Sequence, residues 1–77
     1  MSVLEKVSKE FDEVYKQFEE ARRTNDFHEA SDIKAYMLGL TKAMSIIIDV
    51  NSMNYTVIDS ELVSSRISKL NYLDNVN

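Results

Sequence analysis

Apolar side chains recur through the first third of the chain at Leu4, Val7, Phe11, Val14, Phe18 and Ala21, a 3,4,3,4,3 spacing. Positions three and four apart share one face of an α-helix, so this is a single stripe on an amphipathic helix. Ser2 and Glu5 stand ahead of it as a capping-box pair, each able to satisfy a free amide of the first turn. On the polar side, Glu5/Lys9, Asp12/Lys16 and Glu19/Arg23 are i,i+4 pairs with the acid first. Arg22 and Arg23 fall where a helix C-terminus favours cations. The pattern predicts a helix over about 3–23.

A second stripe follows at Ala30, Ile33, Met37, Leu40, Met44 and Ile47, again spaced 3,4,3,4,3. Thr24-Asn25-Asp26 reads as a turn, with Asp26 and Glu29 as a further capping pair. This predicts a helix over about 27–50. So short a connection makes the two helices antiparallel neighbours, an αα-hairpin with its stripes zipped together. The second helix also carries a surplus apolar stripe, Tyr36, Gly39, Ala43, Ile46 and Val50. Gly39 and Ala43 lie on adjacent turns, and their small side chains suit close approach by another helix. Something must cover this face.

Asn51-Ser52-Met53-Asn54 breaks the pattern, and Tyr55-Thr56-Val57-Ile58 is ambiguous between an extended piece and a helical start. Asp59 or Ser60 can cap a third, shorter helix over about 60–73, with Val63, Ile67, Leu70 and Leu73 on one side. It is the candidate cover for part of the surplus stripe. The tail from Asp74 to Asn77 is expected to fray.

Composition sharpens this picture. One Gly and no Pro in 77 residues is a helical composition, and the length suits one domain. The expected fold is all-α: a long antiparallel hairpin plus a shorter C-terminal helix, oligomeric. Without cysteine there is neither a disulfide framework nor a Cys-based zinc site. No apolar run approaches the roughly 18 residues of a membrane span. The charged, periodic opening reads as helix rather than signal peptide, so a cytoplasmic protein is expected. A net charge of −4 and a pI near 4.8 disfavour a dedicated nucleic-acid binder, which needs a basic surface.

The stretch EARRTNDFHEASDIKAYMLGL resembles the UVR motif, a helical hairpin of nucleotide-excision-repair proteins and some protease-chaperone adaptors. Val14, Phe18 and Ala21 correspond to its first helix; Asp26-Phe27, Glu29, Ala30, Ile33-Lys34, Met37 and Leu40 correspond to the rest in register. The chain departs from the motif at Arg22, Ser31, Asp32 and Ala35. The resemblance covers about residues 14–40 and implies a protein–protein hairpin without catalysis.

Candidate chemistry is sparse. His28 is the only histidine. Asp32 lies one turn on, but Glu29 points about 100° away from His28 on a helix, so a solvated His is expected in place of a metal ligand. There is no His pair, Gly-rich loop or nucleophile elbow, and neither enzyme activity nor a cofactor is expected. Arg22 and Arg23, with Lys34, are the concentrated cations and the candidate anion-binding residues.

At this chain length apolar burial and conformational entropy are of similar size, so burying more surface against a partner is favoured. The expected function is a self-associating, non-enzymatic interaction module, a dimer or higher oligomer acting as adaptor, regulator or inhibitor of another protein. Its candidate interface is Tyr36, Gly39, Ala43, Ile46, Val50, Val63, Ile67 and Leu70. The alternative is an oligomer of viral type that sequesters a small ligand or nucleotide, its anion held between subunits by Arg22, Arg23 and Lys34.

Overall fold

The structure, a computed structural model, describes residues 2–50 and 55–75, the last two by their backbone alone. It is an all-α domain of three helices: α1 (Val3–Arg23), α2 (Phe27–Val50) and α3 (Val57–Asn75). Ser2 caps α1 by accepting the Glu5 amide at 3.1 Å.

The α1–α2 turn is built on one residue in two roles. Asn25 takes a left-handed conformation (φ 61°), which lets the Asp26 amide reach back to the Ala21 carbonyl at 2.8 Å and the Asn25 amide to the Arg22 carbonyl at 3.1 Å. These two bonds form a Schellman closure of α1. The Asp26 carboxylate then accepts the Glu29 amide at 3.1 Å and opens α2. One backbone amide ends a helix and its own side chain starts the next, so the connection needs no further residues. The helices therefore run antiparallel, with Ser8 of α1 meeting Met44 of α2 far from the turn.

The stripe of α1 is buried at Leu4, Phe11, Val14, Phe18 and Ala21 against Ala30, Met37 and Met44 of α2. Two polar groups share this core. The Ser8 hydroxyl donates to the Met44 sulfur at 3.4 Å, and the Thr41 hydroxyl donates to the Leu38 carbonyl at 2.9 Å.

Helix α3 begins at Val57, earlier than the expected start near residue 60. Thr56 is the cap: its amide donates to Asp59 Oδ2 at 2.9 Å, and its hydroxyl accepts the Asp59 amide at 3.3 Å. Asp59 is thus the third helical residue of a capping box rather than the cap itself. The helix also runs to Asn75, beyond the expected residue 73. The expected break at 51–54 lies outside the described residues; of the tail expected to fray, Asp74 and Asn75 are instead helical, continuing the last turn of α3, and residues 76–77 lie outside the described residues.

Val63, Leu70 and Leu73 of α3 drop into the core alongside the hairpin. Arg66, between Val63 and Leu70, bonds Asp12 Oδ2 of α1 at 2.7 Å. Lys69 sits 5.1 Å from the centroid of the Tyr15 ring, a cation–π contact to the same helix. These contacts seat α3 beside α1 as well as α2, and that position determines which face of α2 stays open.

Candidate functional site

Around the axis of α2, the buried Ala30, Met37 and Met44 define an inward direction. At about 100° per residue, Gly39, Ile46 and Val50 project roughly the opposite way, while Tyr36 and Ala43 lie on the flank of that face, about 100–120° from the inward direction. Because α3 lies along the hairpin's groove, it does not cover this stripe. Ile46 is 60% exposed, Val50 74% and Tyr36 48%. A Cβ placed on Gly39 would meet nothing within 4 Å. Ala43 is half-buried.

The structure therefore divides the eight candidate interface residues. Val63 and Leu70 are core residues of the protomer, because the apolar side of α3 is consumed in docking to the hairpin. Ile67, one turn on from Val63, stands at the edge of that contact and remains exposed. It borders a shallow groove with Thr41, Lys42, Ser45 and Ile46. Ile67 and Ile46 thus extend one exposed apolar surface from α2 onto the flank of α3.

Tyr36 at the border of the stripe is tied to α1. Its hydroxyl donates to Glu10 Oε2 at 2.9 Å. The hydrogen bond to that carboxylate favours the protonated phenol and raises its pKa above the ordinary 10.0, with burial and the Glu10 charge acting the same way.

The three candidate anion ligands are also divided. Arg23 turns to Glu20, its Nη1 2.7 Å from Glu20 Oε2. Arg22 lies over the Phe18 ring, its guanidinium carbon 5.9 Å from the centroid. Arg22 and Lys34 line a common cavity of about 370 Å³ at the turn end of the bundle, with Phe18, Phe27, Ala30, Ser31 and Leu73. The two cations are twelve positions apart in sequence and meet because the Asp26 turn folds α2 back along α1. Sequence reasoning missed the cavity's apolar walls. The available signal was Phe27, an aromatic placed at the turn three residues ahead of Ala30, and it is 70% exposed.

His28 is exposed, and among the described residues no group of three or more His, Cys, Asp or Glu side chains is arranged to hold a metal ion. Among those residues, too, no helix is long and apolar enough to cross a membrane. Comparison with protein-family models, with curated proteins and with solved structures returned no match. The candidate sites therefore rest on their own geometry.

Proposed function

We propose that this protein is a non-enzymatic helical interaction module that pairs with a second copy of itself through the outward face of α2. The pair acts as an adaptor, regulator or inhibitor of another protein. The observation that carries this reading is Gly39. A glycine inside a helix costs about 1 kcal/mol relative to alanine. Inside the protomer nothing approaches Gly39 closely enough to require the missing side chain. Its neighbours on the same face, Tyr36, Ile46 and Val50, are exposed apolar residues, so a second helix packed there would bury them and use the space at Gly39.

The UVR-like hairpin pattern points to protein–protein contact as well.

Solution mass by light scattering or sedimentation equilibrium across a hundredfold dilution tests the proposal. The expected result is a dimer or larger assembly at high concentration. Ile46→Glu is expected to make it monomeric with unchanged helical circular dichroism. Gly39→Leu should do the same while leaving the monomer at least as stable, because the protomer has room for the side chain. A folded monomer at every concentration overturns self-association.

A further inference from the structure

We infer that two copies meet with their α2 helices antiparallel about a two-fold axis at Gly39, and that protonation of His28 tightens the pair. This rests on the self-association proposed above and adds to it an orientation, a register and a response to acid.

The register follows from where Gly39 stands. Twelve residues of α2 precede it and eleven follow. A two-fold axis there overlaps the two helices along nearly their whole length, about 36 Å. It also sets Gly39 opposite its own copy, where two helix backbones come closest, and nothing in the protomer occupies that space. Ile46, 60% exposed, then enters the hole between His28, Ser31, Asp32 and Ala35 of the second copy.

The orientation follows from charge. His28, Asp32 and Lys42 are exposed on this face, and exposed Asp49 stands at its edge. Among the described residues, none of these four side chains forms an ion pair within the protomer. A two-fold contact is isologous, so each meeting of two different residues is made twice. With the helices antiparallel, positions equally far before and after Gly39 are level. His28 therefore stands beside Asp49 of the second copy, and Asp32 about one turn from Lys42 of the second copy. A parallel pair would set His28 on His28, Asp32 on Asp32 and Lys42 on Lys42, like charge against like.

Histidine is the side chain that takes up a proton between about pH 8 and 5. Protonated His28 faces Asp49 of the second copy, a contact that exists only in the pair. The other charges near His28 belong to its own protomer. On its turn and helix they are Asp26, whose carboxylate accepts the Glu29 amide, with Glu29 and Asp32. Helix α1 ends in Arg22, held over Phe18, and Arg23, paired with Glu20, while Lys69 of α3 lies on Tyr15. These groups are present in monomer and pair alike, so the difference on pairing comes from Asp49. The pair holds the proton more tightly than the monomer does, and acid therefore favours pairing.

Single-cysteine variants test the geometry in a chain with no cysteine of its own. Ala35 and Ala43 are equally far from Gly39 and so level across the pair. Under mild oxidation, a mixture of Ala35→Cys and Ala43→Cys is expected to form the mixed disulfide at least about fivefold above either homodisulfide, because like cysteines would sit about 12 Å apart along the axis. A predominant Ala35→Cys homodisulfide, or no disulfide in a sample that is dimeric by mass, overturns the antiparallel register. Sedimentation equilibrium of the full-length protein at pH 7.5 and 5.8 tests the acid response. The parent is expected to dissociate about fivefold less readily at the lower pH, a gain that His28→Gln and Asp49→Asn should each remove. A gain that survives in Asp49→Asn would come from the net charge of the whole chain and would overturn the contact. A folded monomer at both pH values removes self-association itself, whereas a dimer with the wrong disulfide removes only this arrangement.

Discussion

Arg66 of α3 reaches Asp12 of α1 across 54 positions of sequence, Nη2 to Oδ2 at 2.7 Å. The contact is one-pronged. A second Arg66 hydrogen bond, from Nη1, goes to the Leu62 carbonyl at 2.8 Å, while Arg66 Nε and Asp12 Oδ1 are buried without a partner. The guanidinium side is the more enclosed, with 15% of the Arg66 side chain exposed against 42% for Asp12.

Removing the carboxylate strands most of a buried charge at the α1–α3 contact. Asp12→Ala is expected to destabilise the fold by about 1–2 kcal/mol, discounted for the exposure of Asp12. Asp12→Asn, which keeps an acceptor, should cost less. Urea denaturation gives both values, and hydrogen exchange should show the loss concentrated in α3. An Asp12→Ala variant as stable as the parent would mean that Val63, Leu70 and Leu73 hold α3 without help.

The Tyr36–Glu10 bond makes stability sensitive to alkali. The folded pKa of Tyr36 lies above its unfolded value of 10.0, so the folded state holds this proton more tightly. The bond's contribution is fully present below pH 10 and is lost as the pH rises through the folded pKa. In a near-ultraviolet titration, the difference between parent and Tyr36→Phe isolates this phenol among the four tyrosines. Its midpoint is expected above 10 and should fall back in Glu10→Gln.

Asn25 holds the left-handed position that closes α1. A β-branched side chain is strained there, and Asn25→Val is expected to cost about 1–2 kcal/mol. Asn25→Gly fits the conformation freely but gains entropy when unfolded, so its effect should stay below about 1 kcal/mol. Thermal denaturation of the pair checks the turn. Equal stability of the valine and glycine variants would contradict the Schellman geometry.

Ser8 is buried on α1, and its hydroxyl donates to a thioether, a weak acceptor. Ser8→Ala gives up that weak bond and gains helix propensity, so a stability increase of about 0.5 kcal/mol is expected. A loss larger than 1 kcal/mol, on the same order as an ordinary buried hydrogen bond, would show that the Ser8–Met44 contact matters more than its chemistry suggests.

Much of this architecture was legible along the chain because local rules agreed. The stripe from Leu4 to Ala21 is continuous, its caps are adjacent in sequence, and Asp26 has both a turn before it and an acid after it. The start of α3 was harder to read. Asp59 by itself resembles a cap, and only the pairing with Thr56 three residues earlier converts it into the internal member of a capping box. The cationic cavity was half legible. Arg22, Arg23 and Lys34 all carry visible charge, but the sequence does not show that Arg23 turns to Glu20, one turn back, while Arg22 and Lys34 come to one cavity.

Periodicity by itself determined three helices and the direction in which α1 faces, since α1 has one apolar side and a charged opposite side. It could not decide the orientation of α2, which is apolar around most of its circumference and so offers several faces of similar hydrophobic gain. Tertiary packing made that choice. Ala30, Met37 and Met44 face α1, and α3 settles in the groove where Arg66 can reach Asp12. Ile46 and Val50 are left outward because three helices enclose one shared core and the back of α2 lies on the far side of it, while Tyr36 on its flank reaches Glu10 of α1.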